Sequence, residues 1–557
     1  LAHHFADEEI VREIGSVDGK KFVIGNCAYD TVIIPQVSNL SANMLELLKK
    51  YHANGGCIFV VRNQAENGLL TIDGEVADRA TRNWFDSLTA FDSEAAAAAA
   101  AAERYPNRVK ITENGFATTE ITSTWRDLEL DGKKGRFHYI VNNAYRVSSK
   151  VTVTLPRTAK YVELLDMVTG KSAILDNVKA TEETLSFSCT VPAAGDLALF
   201  VTDEPLTGEH TVLEDPMALP AVKELANGCT VSGKTENILT LDRCRYRVDG
   251  GEWQSDDVIS LQAILLRRQA DCDLEQEFEF FLDDDFDFKT PLQVAVETAD
   301  RYRFALNGVA FEGKDCGYLF DKAFRRITLP GNLKPGRNVL TMKIRYTQPD
   351  SLWGSLEAAK VFESEYNKLT FESEVESIYL CGDFAVRHNG VTENMIRNSV
   401  RYDGAFTLGK PLSQCELDIT DLLKSGLPFF SGVLTVRQQV VLSAEEVGRI
   451  RFLRFKLWGA NSCRVRVNGK DAGICCWEPF AYNLAGLLQE GENTLELELT
   501  TSLRNMLGPH HLAEGESYSV HTMSFNKDPN FIDRKPAPYN PGYNFVSFGI
   551  MDGEFAG

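Results

Sequence analysis

Hydrophobic and polar residues alternate most regularly between residues 457 and 500. The run from Cys463 to Val467 leads into Asn468-Gly469, the dipeptide that most strongly favours a tight hairpin turn. A further alternating run follows from Leu495 to Leu499. Because side chains on a strand point to opposite faces in turn, this pattern places one face on a core and the other in water. The segment is therefore predicted to form part of a small β-sandwich.

An earlier stretch, residues 304–344, repeats this order of elements. Phe304 and Leu306 lead into Asn307-Gly308, and the turn residues 334–338 precede another alternating strand, Val339 to Ile344. A strand, an Asn-Gly turn, a second strand, a Gly-containing turn and a closing strand thus occur twice in the same order. This repetition predicts two copies of one sandwich module.

Only the first part of the chain combines helical spacing with buried strands. Phe22 to Gly25 and Thr31 to Pro35 are short β-branched runs that predict buried parallel strands. Ser41 is predicted to cap a helix that ends at Asn54-Gly55-Gly56, after which Cys57 to Val61 returns as a strand. The result is a βαβ unit of flavodoxin-like type. It has no Gly-x-Gly-x-x-Gly loop, so a nucleotide site is not expected there.

The centre of the chain changes from mixed to all-β structure. The eight alanines from Ala95 to Ala102 could form a helix, since alanine has the best helix propensity, or could be placeholders for residues that were not identified. From Phe137 onwards the pattern predicts only strands. Residues 205–220 contain three prolines and no periodicity, which is typical of a linker.

With 557 residues, the chain is too long for a single core. We predict a multidomain, mainly β protein. Its predicted parts are a flavodoxin-like α/β domain (1–130), a small all-β sandwich (131–204), a linker (205–236), a first large β-sandwich (237–373) and a second one with a C-terminal loop tail (374–557).

Composition narrows the class of partner. The net charge of −21 argues against binding to nucleic acid or to an anionic membrane, because both need a dense basic face. No apolar run approaches the ~20 residues that cross a bilayer. The 12 cysteines show no metal-ligand spacing and favour a reducing compartment, with a bacterial cytoplasm as the expectation and a secreted protein with several disulfides as the alternative. The chain begins without a methionine or a signal peptide, so we expect a mature product or a fragment.

The tail from Ser502 to His511 fits no regular element and carries most of the candidate chemistry. Its two histidines, together with Glu514 and Glu516, could ligate a metal or meet a substrate hydroxyl. The same polar side chains could instead hydrogen-bond a long loop onto the sandwich or onto another domain. The candidate residues for carbohydrate binding or domain contact are Trp477, Arg504, Asn505, His510, His511 and Glu514.

Three other features have a functional and a structural interpretation. The carboxylates of Asp283-Asp284-Asp285 and Asp287 could bind calcium or form a solvated hairpin tip. Tryptophans can stack on sugar rings, yet most are buried, and only Trp477, in a predicted loop, is expected to be exposed. Adjacent residues of a strand point to opposite faces, so Cys475-Cys476 is assigned no chemistry.

Several segments of the chain resemble a known protein family. Tyr29 to Pro35 with Gly55-Gly56 resembles the flavodoxin-like domain that follows the catalytic barrel in large bacterial glycoside hydrolases related to the α-L-rhamnosidases. The strand ending at Asn143, with Glu163 to Gly170, is similar to their next β domain. Three further segments are similar to the C-terminal galactose-binding-like jelly-roll sandwiches of these enzymes: Glu376 to Phe384, Gly426 to Gly432 and Ser502 to His511.

The resemblance implies a non-catalytic role for the chain. The family's two catalytic carboxylates lie on a barrel that would precede Leu1, so no catalytic residue is assigned. The sandwiches would support that barrel of the same polypeptide and contact carbohydrate. The alternatives are a stand-alone carbohydrate-binding or scaffolding protein that self-associates into a homo-oligomer, and an enzyme that uses His510 or His511 with a nearby carboxylate. No cofactor is implied apart from calcium, and the sugar and its linkage are beyond the sequence.

Overall fold

The structure is a computed structural model that describes residues 3–62, 70–105, 109–366, 368–520, 524–525 and 538–557. The chain divides into two compact units, residues 1–215 and 216–557. Strands dominate both units and assemble into many sheets, so the predicted mainly β, multidomain architecture is confirmed. Among the described helices, none is long and apolar enough to cross a bilayer.

The first unit contains four helices and twenty strands in its described part. The helices are α1 (Glu8–Ile14), α2 (Ala42–Ala53), α3 (Arg79–Asp86) and α4 (Glu94–Glu103). The strands are β1 (Gly15–Asp18), β2 (Lys21–Ile24), β3 (Cys27–Tyr29), β4 (Thr31–Ile34), β5 (Asn39–Leu40), β6 (Cys57–Val61), β7 (Thr71–Ile72), β8 (Glu75–Val76), β9 (Thr89–Phe91), β10 (Lys110–Glu113), β11 (Phe116–Ala117), β12 (Ile121–Leu130), β13 (Lys133–Asn142), β14 (Ser149–Pro156), β15 (Tyr161–Leu165), β16 (Ser172–Leu175), β17 (Lys179–Ala180), β18 (Thr184–Val191), β19 (Asp196–Thr202) and β20 (His210–Thr211).

A small parallel sheet, in the order β4-β6-β9, contains the predicted βαβ unit. Ser41 caps α2, accepting a hydrogen bond from the Met44 amide at 3.2 Å. Tyr51 of α2 is buried and donates its hydroxyl proton to the Asp30 carbonyl at 2.7 Å. A side chain at Gly56 would collide with the Tyr51 ring, 2.3 Å away, so the helix can turn into β6 only at a glycine. The prediction of helix and strand over residues 41–61 is confirmed.

The strand predicted at Phe22 to Gly25 exists, but its predicted parallel pairing is wrong. β2 lies in an antiparallel sheet of order β1-β2-β3. Gly19 and Gly25 adopt positive φ angles of 53° and 58°, which close the tight turns on either side of β2. Parallel neighbours need a long crossover, and these turns leave no room for one.

Besides a small sheet of order β5-β7-β8, the first unit contains two larger sheets, in the orders β11-β10-β14-β18-β17 and β12-β13-β19-β15-β16-β20. Alternate residues of β14 are buried, as the sequence pattern predicts. The strands β10 to β12 pair with this all-β part although they fall within the segment predicted as the α/β domain, 1–130. Most residues of β12 are exposed or half-buried, so its hydrophobic pattern is too weak to indicate a strand.

The second unit contains the two large sandwiches. Its helices are α5 (Val258–Arg268), α6 (Asp350–Val361), α7 (Glu363–Tyr366), α8 (Ala444–Arg449) and α9 (Arg504–Leu507). Its strands are β21 (Ala221–Glu224), β22 (Gly228–Lys234), β23 (Asn237–Leu241), β24 (Arg243–Val248), β25 (Gln254–Asp257), β26 (Cys272–Leu282), β27 (Gln293–Glu297), β28 (Arg303–Leu306), β29 (Val309–Phe311), β30 (Asp315–Leu319), β31 (Asp321–Thr328), β32 (Gly336–Tyr346), β33 (Ile378–Gly382), β34 (Val386–Asn394), β35 (Ser399–Leu408), β36 (Glu416–Asp418), β37 (Val433–Leu442), β38 (Phe452–Gly459), β39 (Ser462–Val467), β40 (Lys470–Cys475), β41 (Ala481–Asn483), β42 (Gly491–Thr500), β43 (Tyr543–Val546) and β44 (Gly549–Ala556).

Each sandwich is built from two main sheets. The first has the orders β23-β33-β27-β31-β30 and β25-β24-β26-β32-β28-β29, with the hairpin β34–β35 and β43 joined to the second of these sheets. The second sandwich has the orders β36-β22-β37-β42-β39-β40 and β21-β44-β38-β41. One continuous hydrophobic core runs through this unit, with Phe278, Leu340, Leu497 and Phe555 among its most deeply buried members.

The predicted linker, 205–236, is wrong in its second half, because part of it forms strands of the second sandwich. Residues 221–224 and 228–234, placed in the linker 205–236, form β21 and β22 of the second sandwich. Conversely, β33 pairs with β23 and β27 of the first sandwich although it falls in the segment 374–557. β22 and β33 are interior strands whose partners lie far away in the sequence, so their patterns predict a strand without predicting its partner.

The predicted repeat is visible in strand pairing. β28 forms a hairpin with β29 through Asn307-Gly308 and also pairs with β32. β39 forms a hairpin with β40 through Asn468-Gly469 and also pairs with β42. The two hairpins therefore have the same connectivity and the same place in their sheets.

A pair of asparagines makes the same hydrogen bonds in both copies. Asn468 Nδ2 donates to Asn493 Oδ1 at 2.8 Å, and its Oδ1 accepts the amide proton of the residue after Asn493 at 2.9 Å. Asn307 Nδ2 donates to Asn338 Oδ1 at 2.9 Å, and its Oδ1 accepts the amide proton of the residue after Asn338 at 3.0 Å. In each copy the asparagine side chain ties the tight turn to the start of the closing strand.

Candidate functional site

The tail that follows β42 contains the short helix α9 and then an extended loop. Thr240 of β23 donates to the Met506 carbonyl at 2.7 Å, which fixes α9 against the first sandwich. Gly508 has a φ angle of 89°, and a side chain there would come within 2.7 Å of the His510 amide. The tail thus turns sharply at a glycine and directs His510 and His511 inward.

Arg504 is held in a nearly buried ion pair with Glu516. Its Nε and Nη2 lie 2.8 and 2.7 Å from Glu516 Oε2, and Nη2 also donates to the Pro509 carbonyl at 2.9 Å. Burial lowers the pKa of Arg504, and the Glu516 carboxylate opposes that effect. Nη1 is buried and has no hydrogen-bond partner among the residues that the structure describes. Glu516 is therefore committed to Arg504 and does not lie with the histidines as a metal ligand.

Asn505 connects the tail to the last strands of the unit. Its Nδ2 donates to the Val546 carbonyl, and its Oδ1 accepts the Val546 amide proton, both at 2.9 Å. The side chain is buried, and the backbone of Val546 occupies both ends of its amide. Asn505 consequently positions a wall of the site.

His510 and His511 converge on Asp242, a residue that the sequence analysis did not single out. His511 Nε2 lies 3.0 Å from Asp242 Oδ2, and Nδ1 lies 2.9 Å from the Gly542 carbonyl. His510 Nδ1 is 3.7 Å from Asp242 Oδ2, too far for a hydrogen bond, while Nε2 is 2.9 Å from the Asn505 carbonyl. Burial would raise the pKa of Asp242, but the two imidazoles hold it well below its ordinary value.

Further residues complete this cluster from distant parts of the chain. Tyr543 donates its hydroxyl proton to Asp242 at 2.5 Å. Arg243 donates to Asp257 at 3.0 Å and to the Tyr539 hydroxyl at 2.8 Å. These partners lie up to 301 positions apart in the sequence, so no local spacing could have indicated them. The arrangement ties the tail to the first sandwich.

A cleft of about 240 Å³ opens beside α9, at one end of the second sandwich. Its lining comes from the loop after β38, the end of β42, α9, the tip of the hairpin β34–β35, the segment before β37 and the segment before β44. The described lining residues are Asn398, Phe430, Trp458, Gly459, Ala460, Asn461, Thr501, Ser502, Arg504, Asn505, Val546, Ser547 and Phe548. None of these residues is acidic, so the cleft holds no pair of carboxylates.

Two of the predicted site residues line this cleft, and four do not. Arg504 and Asn505 are among its walls, whereas His510 and His511 lie in the Asp242 cluster. Trp477 is 54% exposed, as expected from the sequence, but does not line the cleft. Glu514 is exposed. Trp458, at the end of β38, could stack on a sugar from its residue type but was expected to be buried; it is half-buried and lines the cleft. The missed cleft residues Asn461 and Asn398 come from loops whose sequences carry no motif.

Arg387 pairs with two carboxylates of the acidic run Asp283-Asp284-Asp285, for which calcium binding or a solvated hairpin tip were the two interpretations. Arg387 Nη1 lies 2.8 Å from Asp283 Oδ2, and its Nη2 lies 2.6 Å from Asp285 Oδ2. Asp287 accepts hydrogen bonds from Lys289 and Thr290. Within the described ranges there is no group of three or more His, Cys, Asp or Glu side chains that could hold a metal ion.

A separate group of carboxylates lies in the first sandwich. Burial raises the pKa of Glu297 to about 8, and the neighbouring Glu374 adds to the effect. Burial likewise raises the pKa of Glu376 to about 7. These side chains are distant in sequence from the tail and are not part of the cleft lining.

Comparison with known proteins does not assign the chain to a family. No protein-family description and no curated protein matches the sequence. Several similar solved structures are glycoside hydrolases, and a lectin from Pleurotus ostreatus is also among the similar structures. They include a rhamnosidase from Novosphingobium sp. PP1Y (14% identity, covering 96% of this chain and 35% of that one, TM-score 0.41). An α-L-rhamnosidase from Streptomyces avermitilis, complexed with L-rhamnose, covers 70% of this chain and 36% of its own length at 10% identity and a TM-score of 0.21.

A third similar structure is a β-D-mannosidase from Dictyoglomus thermophilum. It is 12% identical, covers 48% of this chain and 31% of its own length, and has a TM-score of 0.18. The chain therefore spans about a third of the length of these three structures.

Proposed function

We propose that the chain is a non-catalytic part of a carbohydrate-active enzyme, of the type related to the α-L-rhamnosidases. In this proposal the parallel unit of β4, β6 and β9 is flavodoxin-like, and the two large sandwiches are galactose-binding-like jelly rolls. They support a catalytic barrel of the same polypeptide and contact its glycan substrate. The resemblance of Ser502 to His511 and of Tyr29 to Pro35 to that family supports this assignment.

The observation that carries the proposal is the chemistry of the cleft beside α9. Aromatic rings, amides and hydroxyls line it, and none of its described lining residues is acidic. Glycoside hydrolysis needs two carboxylates on either side of the scissile bond, so this cleft is equipped to bind a sugar and not to cleave it. The Asp242 cluster has a supporting role, because its side chains hydrogen-bond one another and the backbone.

The carboxylates of the first sandwich are the strongest objection to a non-catalytic role. A raised pKa such as that of Glu297 is typical of a general acid. We assign Glu297 and Glu374 to structure, because neither lines the cleft; burial is the main cause of the raised pKa of Glu297, and the neighbouring Glu374 adds to it. Hydrolysis of aryl glycosides by the 557-residue chain, lost in Glu297→Gln, would reverse this assignment.

A stand-alone carbohydrate-binding or scaffolding protein is the second candidate function. The exposure of Trp477 favours it, because an exposed indole is a platform for a sugar ring. A glycan array probed with the isolated chain distinguishes the two candidate functions. Binding that is lost in Trp477→Ala supports the stand-alone function, whereas binding that survives this substitution supports recognition elsewhere in the chain.

A further inference from the structure

The cleft beside α9 contains side chains with uncommitted hydrogen-bonding groups. Asn398 and Asn461 are exposed, and neither side-chain amide has a hydrogen-bond partner within the described part of the chain. Ser502 accepts the Arg504 amide proton at 3.2 Å, which leaves its hydroxyl proton available to donate. These two amides and one hydroxyl supply both donors and acceptors at the mouth of the cleft.

One aromatic wall of the cleft is rigidly positioned. The Trp458 ring stacks on Phe480, with centroids 4.3 Å apart and an interplanar angle of 4°. Its indole N–H donates to the Ala460 carbonyl at 2.7 Å. A rotamer fixed by stacking and by a hydrogen bond loses little entropy when a ligand packs against it. An aromatic ring beside hydrogen-bonding groups suits a pyranose ring, which has an apolar C–H face and polar hydroxyls.

The charge of the cleft indicates which sugars it accepts. Arg504 is the single charged residue of the described lining, and Glu516 already pairs with it at 2.7 Å. Nη1 has no partner in the described ranges but is buried, and Glu516 compensates the positive charge. A carboxylate-bearing sugar would therefore gain little attraction here and would lose its hydration on entering.

We propose that this cleft binds one neutral pyranose ring, with the hydroxyls on Asn398, Asn461 and Ser502 and the C–H face on Trp458. This inference rests on the proposed carbohydrate function and adds the site and the ligand class. The volume of about 240 Å³ lies below the roughly 300–1,000 Å³ of pockets for drug-sized ligands, so the cleft takes a single ring of a longer glycan.

The ligand would join two parts of the unit. Asn398 lies at the tip of the hairpin β34–β35, which belongs to the sheet of the first sandwich, whereas Asn461 and Ser502 belong to the second. The Asn398 carbonyl accepts the Ser547 amide proton at 2.9 Å, which holds the hairpin tip at the cleft. A bound ring would reinforce this contact, so ligand binding should protect the hairpin tip from hydrogen exchange.

The test is calorimetric titration of the full 557-residue chain with methyl pyranosides of glucose, galactose, mannose and rhamnose. Methyl glucuronide and methyl galacturonide serve as the charged counterparts. We expect at least one neutral glycoside to bind and its affinity to fall by about tenfold or more in Asn461→Ala, because one partner of a ligand hydrogen bond is lost. Asn389→Ala, the same deletion at an exposed asparagine of β34 outside the cleft, should leave the affinity unchanged.

The outcomes separate this inference from the proposed function. Binding of a glycan that Asn461→Ala and Asn398→Ala leave unaltered, or a preference for the uronides, overturns the inference and leaves a carbohydrate function in place. Binding of long glycans on an array without binding of any single pyranoside overturns it as well. If the chain binds neither the pyranosides nor any array glycan, both the inference and the proposed glycan contact fail.

Discussion

The repeated asparagine pair makes a quantitative prediction about stability. In Asn468→Ala the chain loses three side-chain hydrogen bonds: those to the Leu487 carbonyl, to Asn493 Oδ1 and from the amide that follows Asn493. Each is worth about 0.5–1.5 kcal/mol net. Asn468 also has a φ angle of 52°, a region where alanine costs about 1 kcal/mol more than asparagine. Because the losses overlap, we expect a local destabilisation of about 2–4 kcal/mol.

Hydrogen exchange followed by mass spectrometry is the suitable assay, since a chain of several domains need not unfold in one step. The expected loss corresponds to exchange that is about 30 to 800 times faster in peptides from β39 and β42. Asn468→Gly accepts the positive φ angle and should be less damaging than alanine by about 1 kcal/mol. Asn307→Ala should produce the same effect in β28 and β32, because its hydrogen bonds are the same.

Asn389→Ala is the matched control, because Asn389 is exposed on β34, and it should leave exchange unchanged. If Asn468→Ala accelerates exchange no more than this control, the hydrogen-bond argument is refuted. If Asn307→Ala and Asn468→Ala differ by more than tenfold, the two hairpins are not equivalent copies.

Three further predictions concern buried charges and the exposed tryptophan. The pKa of Glu297 is raised from 4.5 to about 8, so its contribution to stability is present below pH 4.5 and is lost as the pH rises to 8. Glu297→Gln should therefore raise the Tm relative to wild type at pH 8 but not at pH 4.5. An equal change in Tm at both pH values would contradict this. Arg454→Ala removes the partner of buried Glu554 at 2.6 Å and leaves it with Lys456 at 3.3 Å, so the cost in urea unfolding should be at most the roughly 3–5 kcal/mol of an unpaired buried charge, and more than the cost of replacing Arg454 and Glu554 by methionine. A cost smaller than that of the double variant would contradict this. Trp477→Ala should leave glycan binding intact, and loss of binding on an array would favour the stand-alone function.

Local features of the fold could be predicted from the sequence, whereas sheet membership could not. The hairpin at Asn468-Gly469 and the helix capped by Ser41 depend on a few neighbouring residues with well-defined backbone preferences. The assignment of β22 to the second sandwich depends on a partner, β37, about 200 positions away. An alternating pattern contains no information about that partner, so the linker prediction was wrong in its second half.

The candidate site, too, could be predicted only in part from the sequence. Arg504 and Asn505 could be recognised because they lie in a polar tail that fits no regular element, and the structure places both beside the cleft. Asp242, Tyr543 and Asn398 could not, because they reach the tail only through the packing of the two sandwiches. A residue within an ordinary strand or hairpin gains a role in a site only when the tertiary structure brings it there.

The most direct test of the central proposal is an activity measurement on the purified 557-residue chain. It should be incubated with a panel of aryl glycosides, including the aryl α-L-rhamnoside, and assayed in parallel for binding on a glycan array. We predict glycan binding without hydrolysis, because the cleft provides amides, hydroxyls and aromatic rings but no pair of carboxylates among its described residues. Steady release of the aryl group at a rate that scales with the concentration of the chain would contradict the proposal.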